Sequence, residues 1–169
     1  MKWNELNILD AEEAQLDGLA FGALNQRDPN VSMEKERIAP FASGAELNPI
    51  ENMVRCGLRG AVFTAMADYK VGHEIRDQLA ARGIQIRGPL LERTPWGPNH
   101  AVVYSPSPKG TNRTMVVNYN RSNESFTHLK PGQIPWEEAF AGGVRLFHTG
   151  GLAMSRSEEH TSELQSLLI

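Results

Sequence analysis

The chain is poor in the features that assign a protein quickly. It contains one cysteine, Cys56, which excludes an internal disulfide and gives no support to a zinc site, since zinc wants several Cys or His at close spacing. The histidines His73, His100, His128 and His160 are too scattered to supply that spacing. No run of about 18 apolar residues occurs, and the opening MKWNELNILDAEEA places acids where a secretory signal needs an apolar stretch. Basic surplus is missing too. A net charge of -3 argues against nucleic acid and anionic membranes as partners. There is no G-x-x-x-x-G-K-[ST] loop, and the glycines at 44, 57, 60 and 72 do not form G-x-G-x-x-G after a strand, which counts against an unrelated nucleotide-binding domain. These absences leave a cytoplasmic protein with a small neutral or acidic ligand.

What is present is the composition of one globular domain, 40% hydrophobic and 22% charged over 169 residues, enough to bury a core. The run LDGLAFGAL from Leu16 to Leu24 reads as a buried first strand, and the turn signal RDPN closes it in a loop that a ligand can meet. RIAPFA, residues 37–42, contains Pro40 and belongs at a sheet edge or in a flap. In SGAELNPIENMVRCGLRG, Asn48 is placed to cap a helix, Pro49 suits its first turn, and Gly57 or Gly60 ends it. Cys56 lies on that helix, where a small buried hydrophobe is expected rather than a nucleophile. The strand AVFTAMA follows. Val71, Ile75 and Leu79 then mark a second helix stopped by Gly83, before a short strand IQI. Alternating strands and helices imply an α/β sheet with parallel strands.

Beyond this point the pattern changes. HAVVYS and RTMVVNY flank the turn PSPKGTN and predict an antiparallel hairpin, a candidate lid. PGQIPWEEAFAGG predicts a capped helical turn. VRLFHTGGL predicts a return to the core sheet, ending in a glycine-rich loop. His148 stands at that strand end, as a pocket wall or as a hydrogen-bonded core histidine.

Taken in order, SGAELN, GLRGAVFTAMADYKVGHEI, GPNHAVVYS, VVNYNRSNESFTHLKPGQIPW and GVRLFHTGGL resemble the N-terminal half of PfkB/ribokinase-family carbohydrate kinases, particularly a branch similar to 2-keto-3-deoxygluconate kinases. The resemblance runs from about Leu16 to Leu152. It implies an α/β fold, the N-terminal half of a ribokinase-like three-layer sandwich with a β-hairpin lid whose strands fall at about 37–42 and 99–121. In that family a Gly-Gly followed by an Asn borders the sugar pocket, and the match falls on Gly44 and Asn48. Ser43 replaces the first glycine and narrows the room for a sugar. ADYKVG looks like the family's G-x-D-x-x-G region, with Asp68 capping the next helix. Tyr119 and Arg121 resemble the positions from which sugar-acid kinases hold substrate, the Arg121 fork suiting a carboxylate. Without that motif, Arg121 reads as a solvated strand-end charge. Asn99 and Asn123 add amide hydrogen bonds. Asp28 is read either as an acceptor for sugar hydroxyls or as a plain turn residue beside Pro29.

Two further expectations follow. Residues 156–166, RSEEHTSELQS, resemble the translation of a sequencing adapter, so 1–155 is expected to be the partial kinase domain and 156–169 an artefactual tail. Phosphoryl transfer also needs a base for the attacking hydroxyl and donors for the moving charge. The family takes these from a late D-T-x-G-A-G-D motif that these residues do not contain. The resemblance therefore implies an ATP- and Mg2+-dependent sugar or keto-sugar-acid kinase for the parent protein, with this chain holding the sugar-binding part and inactive alone. It leaves room for a homodimer through the lid. The alternative is a sugar-binding module without catalysis.

Overall fold

The computed structural model describes residues 9–29, 39–105, 117–130, 132, 134–151 and 153. The tail 156–169, the hairpin turn at 106–112 and residues 37–38 of the flap lie outside the described residues. The chain runs through β1 (Gly18–Phe21), β2 (Asn25–Asp28), β3 (Phe41–Ser43), α1 (Leu47–Arg55), β4 (Gly60–Phe63), β5 (Met66–Asp68), α2 (Lys70–Ala81), β6 (Gln85–Arg87), β7 (Leu90–Glu92), β8 (Ala101–Tyr104), β9 (Asn118–Asn120), a 3-10 turn at Ser125–His128, α3 (Trp136–Phe140) and β10 (Phe147–Thr149).

The core is a parallel sheet in the order β10-β1-β4-β6. Its two central strands are buried throughout, because a parallel sheet is covered on both faces. Alternation divides their side chains. Leu19, Phe21, Ala61 and Phe63 face one layer, which holds Phe126, Leu129, Ile134 and Ala139 with Trp136 and Phe140 packed against it. Ala20 and Val62 face the other, with Leu47 and Ile50 of α1 and Ile75 and Leu79 of α2. The result is the expected three layers.

A second sheet, in the order β3-β2-β8-β9, forms the lid. Here β3 is an antiparallel edge strand beside β2, as RIAPFA suggested, and β8 pairs with β9 antiparallel as the predicted hairpin does. The first strand is shorter than expected. Leu16 to Leu24 does not make one strand: β1 ends at Phe21, and the chain leaves the core sheet to become β2 of the lid. The first half of RDPN is therefore strand, since Arg27 and Asp28 are held by β8 through Val103 and Tyr104. AVFTAMA is likewise two strands, β4 in the core and β5 in a two-stranded sheet with β7. The ladder breaks beside Gly88, which has φ of 110° and would bring a Cβ to 2.2 Å from the Thr64 carbonyl.

The helix ends are local and behave as the glycines dictate. Gly57 and Gly83 take φ of 84° and 76° just past α1 and α2, the left-handed position that closes a helix. The helix starts differ from expectation. Asn48 does not cap α1, which begins one residue earlier behind Glu46 with no side-chain cap. Pro49 is harmless in that first turn, where N–H groups have no intrahelical acceptor. Asp68 does not cap α2 either, since Tyr69 precedes it without a side-chain bond, and the Asp68 carboxylate instead pairs with His73 Nε2 at 2.9 Å. Cys56, expected to be buried, is exposed at the C-terminal end of α1, because the helix's apolar face passes through Leu47 and Ile50. No helix among the described residues is long and apolar enough to cross a membrane.

Candidate functional site

The two ends of the core sheet carry opposite kinds of polar chemistry. At the N-terminal ends of β1, β4 and β10, Asp17 is buried and saturated. Its carboxylate accepts from Arg59 Nε at 3.0 Å, from Arg59 Nη2 at 3.1 Å, from the Arg59 backbone N–H at 2.9 Å and from Arg145 Nη1 at 3.2 Å. The Arg59 side-chain hydrogen bond, followed by its backbone N–H, holds the Asp17 carboxyl well below the usual carboxylate range. A group so fully occupied is structural.

At the opposite end, the lid sheet and the start of α1 enclose a cavity of about 420 Å³. Register explains its walls. Arg27 of β2 sits opposite Val103 of β8, and Val103 sits opposite Tyr119 of β9, so these three side chains form a row on one face of the lid. Asn25, two residues before Arg27 on β2, continues the same face, and Arg121, just past β9, joins the wall. Ser43, Gly44 and Ala45 bring the chain off β3, and Asn48 closes the site from α1. A neighbouring cavity of about 600 Å³ shares Arg27, Ser43 and Asn48 and adds Glu51, Arg55 and Arg82.

Four of the six residues expected from the sequence, Gly44, Asn48, Tyr119 and Arg121, meet in this cavity. Asp28 and Asn99 are not in its wall. Asp28 ends β2 half-buried, and its carbonyl accepts the Ser105 N–H at 2.9 Å. Asn99 is tied into the neighbouring loops, accepting from Arg93 at 3.1 Å and bonding through its backbone to Asn123 and Ser125. Asn123 occupies the left-handed region with φ of 53°, and its side chain reaches the Trp96 carbonyl rather than the cavity.

Gly44 is required by the protein itself, because a Cβ there would lie 2.8 Å from the Ala23 carbonyl. Arg121 Nη1 donates to the buried Glu124 carboxylate at 2.8 Å, and the guanidinium lies 5.4 Å from the centre of the Tyr119 ring. The pairing and the stacking fix its orientation.

Sequence reasoning missed Asn25 and Arg27. Asn25 is 5% exposed with an Oδ1 that has no hydrogen-bond partner among the described residues, and Arg27 has a buried Nε in the same condition. The polar alternation Asn25, Arg27 was the available signal, masked by the turn signature that follows. Glu46 is a third such group, 1% exposed with both carboxylate oxygens unpartnered. It fills the space that glycine leaves at Gly22, after β1, and at Gly150, after β10, where a Cβ would fall 2.4 and 2.5 Å from its side chain.

His100 lies under the lid, 4% exposed, its ring stacked on Tyr69 at 5.7 Å. Burial pushes its pKa down to about 4, and its Nε2 accepts the Ala67 N–H at 3.2 Å. His148 is half-buried in β10 opposite Ala20. Among the described residues, no group of three or more His, Cys, Asp or Glu side chains is placed to hold a metal ion.

No family model matches the chain, and no curated protein matches it significantly. Solved structures do match. A 2-dehydro-3-deoxygluconokinase from Thermotoga maritima superposes with a TM-score of 0.72 at 20% identity, over 91% of this chain and 47% of that one. A PfkB family carbohydrate kinase from Listeria grayi gives 0.72 at 18% identity, over 89% and 47%. A sugar kinase from Pyrococcus horikoshii, solved in complex with ATP, gives 0.65 at 12% identity, over 89% and 48%. At these identities the likeness is one of fold. The fold is ribokinase-like, corresponding to the N-terminal half of the matched chains, and the chain spans about half their length.

Proposed function

We propose that the chain is the sugar-binding part of a PfkB-type carbohydrate kinase acting in the cytoplasm, whose substrate is a sugar or a keto-sugar acid of the 2-keto-3-deoxygluconate kind. The observation that carries this reading is the cavity itself, where Gly44, Asn48, Tyr119 and Arg121, far apart in sequence, form one wall system between the lid and α1. Its chemistry suits a sugar. It offers amide and hydroxyl groups for ligand hydroxyls, a tyrosine ring for an apolar sugar face, and two guanidiniums with no carboxylate side chain among the described lining residues.

In the parent protein the phosphoryl donor is ATP with Mg2+. The phosphate-binding helix start and the base come from a D-T-x-G-A-G-D motif that these residues lack. The role left to this chain's residues is to hold the sugar and keep its hydroxyl in place. Residues 156–169 take no part in this role. A homodimer through the lid belongs to the same reading, and Tyr104 of β8, 41% exposed, is available for such a contact.

The test is NMR titration of the 169-residue chain with 2-keto-3-deoxygluconate, following the Asn48 and Tyr119 resonances. Saturable shifts at both positions, lost in Asn48→Ala and unchanged on deletion of 156–169, are expected. Absence of saturable binding by both the sugar acid and fructose overturns the reading.

A further inference from the structure

The two arginines of the cavity are not equivalent. Arg121 already faces a carboxylate, the buried Glu124 at 2.8 Å, and is only 13% exposed. Arg27 is different: none of the ion pairs among the described residues includes it, and its Nε is buried without an acceptor. The acidic side chain that shares a cavity wall with it is Glu51, in the neighbouring cavity, and that carboxylate is taken by Arg55 at 2.8 Å and Arg82 at 3.6 Å. Two residues before Arg27 on the same face of β2 is the buried Asn25 Oδ1, an acceptor that also lacks a partner.

A buried donor left unsatisfied costs on the order of 1–3 kcal/mol, more when it is charged. Such a group is retained where something else completes it. An arginine with free Nε and Nη groups presents the edge that takes a carboxylate through two parallel N–H···O bonds. An adjacent amide oxygen accepts a hydroxyl. Together the pair reads a carboxylate flanked by a hydroxyl, which is the acidic end of a sugar acid and, in 2-keto-3-deoxygluconate, of its ring form, where the anomeric hydroxyl adjoins the carboxylate.

We infer that Arg27, not Arg121, binds the substrate carboxylate, with Asn25 Oδ1 accepting from a neighbouring hydroxyl, and that Arg27 sets the preference for sugar acids over neutral sugars. The inference rests on the sugar-binding reading above. Arg121 then acts as a positioning residue, holding Tyr119 against the ligand.

The arginine Nε–Hε resonances of the whole chain report on this directly. Titration with 2-keto-3-deoxygluconate should move the Arg27 Nε–Hε signal, identified by its loss in Arg27→Lys, while fructose leaves it in place. Arg27→Gln should weaken the sugar acid by about 10- to 100-fold, as for one lost charge-assisted pair. Fructose should stay within about twofold, and Arg27→Lys should recover part of the loss. If Arg27→Gln is unfolded by its NMR spectrum, the Lys variant and the wild-type signal decide. A moving Arg121 signal with a still Arg27 signal overturns the inference and leaves the sugar-binding reading standing, as does an equal loss for both ligands in Arg27→Gln. Failure of both ligands to bind the wild type overturns the two together.

Discussion

The base of the core sheet and its lid end are built from the same residue types and are satisfied to opposite degrees. At the base, Asp17 takes hydrogen bonds from both Arg59 and Arg145. At the lid end, Asn25 Oδ1, Arg27 Nε and both Glu46 oxygens are buried without hydrogen-bond partners among the described residues. Saturated polar groups in a packed interior specify one arrangement of the chain. Unsatisfied ones lower stability and are kept where a ligand completes them. If the proposed reading holds, stability and recognition are separated along the strand axis, with the cavity at the C-terminal ends of parallel strands, where open α/β sheets take ligands.

This contrast can be broken by mutation. The largest loss of stability is expected from Asp17→Ala, which strands Arg59 and Arg145, with sugar binding unchanged once the variant is folded. Chemical denaturation and NMR titration of the same sample check both halves, and a loss of binding without loss of stability would place function at the base. The folded carboxyl of Asp17 lies below its ordinary value of 3.8. Its contribution is therefore fully present above about pH 4 and is lost as the pH falls further.

His100 should act earlier in an acid titration. Its folded pKa is about 4 against an ordinary 6.5, so the unfolded chain binds the proton first. The His100 contribution is complete above pH 6.5 and is lost as the pH falls toward 4, by on the order of 3 kcal/mol. Denaturation midpoints at pH 7.5 and 4.5 measure it, and His100→Gln should flatten that difference. A wild-type stability that does not change over this range contradicts the neutral, buried histidine.

Gly44→Ala should cost about 2 kcal/mol, because its Cβ meets a backbone carbonyl that has little room to move. It should also weaken sugar binding, since Ala23, Gly44 and the start of α1 shift together. A variant of unchanged thermal midpoint would show that the β3-to-α1 turn is slack.

The smallest effect expected is a gain. Glu46→Gln removes an uncompensated buried carboxylate and should raise stability by on the order of 1 kcal/mol. If the variant is instead less stable, Glu46 has a partner in the folded protein and does not belong with the unsatisfied set.

Much of the fold was legible because it is written locally. Gly57 and Gly83 stop helices by their own backbone freedom, and Val71, Ile75 and Leu79 fall on one helical face whatever lies beside it. HAVVYS and VVNY announce an antiparallel pair through β-branched content. What escaped was the assignment of strands to sheets. Leu16 to Leu24 is one apolar run in sequence and belongs to a core strand and a lid approach in space. β7 gave no signal because LLE is short and mostly exposed. Half the cavity was found through motif likeness, at Gly44, Asn48, Tyr119 and Arg121. Asn25 and Arg27 were not, because DPN suggests a turn and only β8, some 75 residues later, holds those residues in a strand.

The sequence by itself determined the alternation of strands and helices and the glycines that stop α1 and α2. These depend on periodicity and on backbone freedom, which are properties of neighbouring residues. The tertiary structure decided which arginine is free. Arg27 and Arg121 are identical side chains, one on β2 and one just past the end of β9. The turn after β9 sets Glu124 against Arg121 and pairs that charge, while β2 and β8 hold Arg27 in the same cavity wall with no ion pair among the described residues.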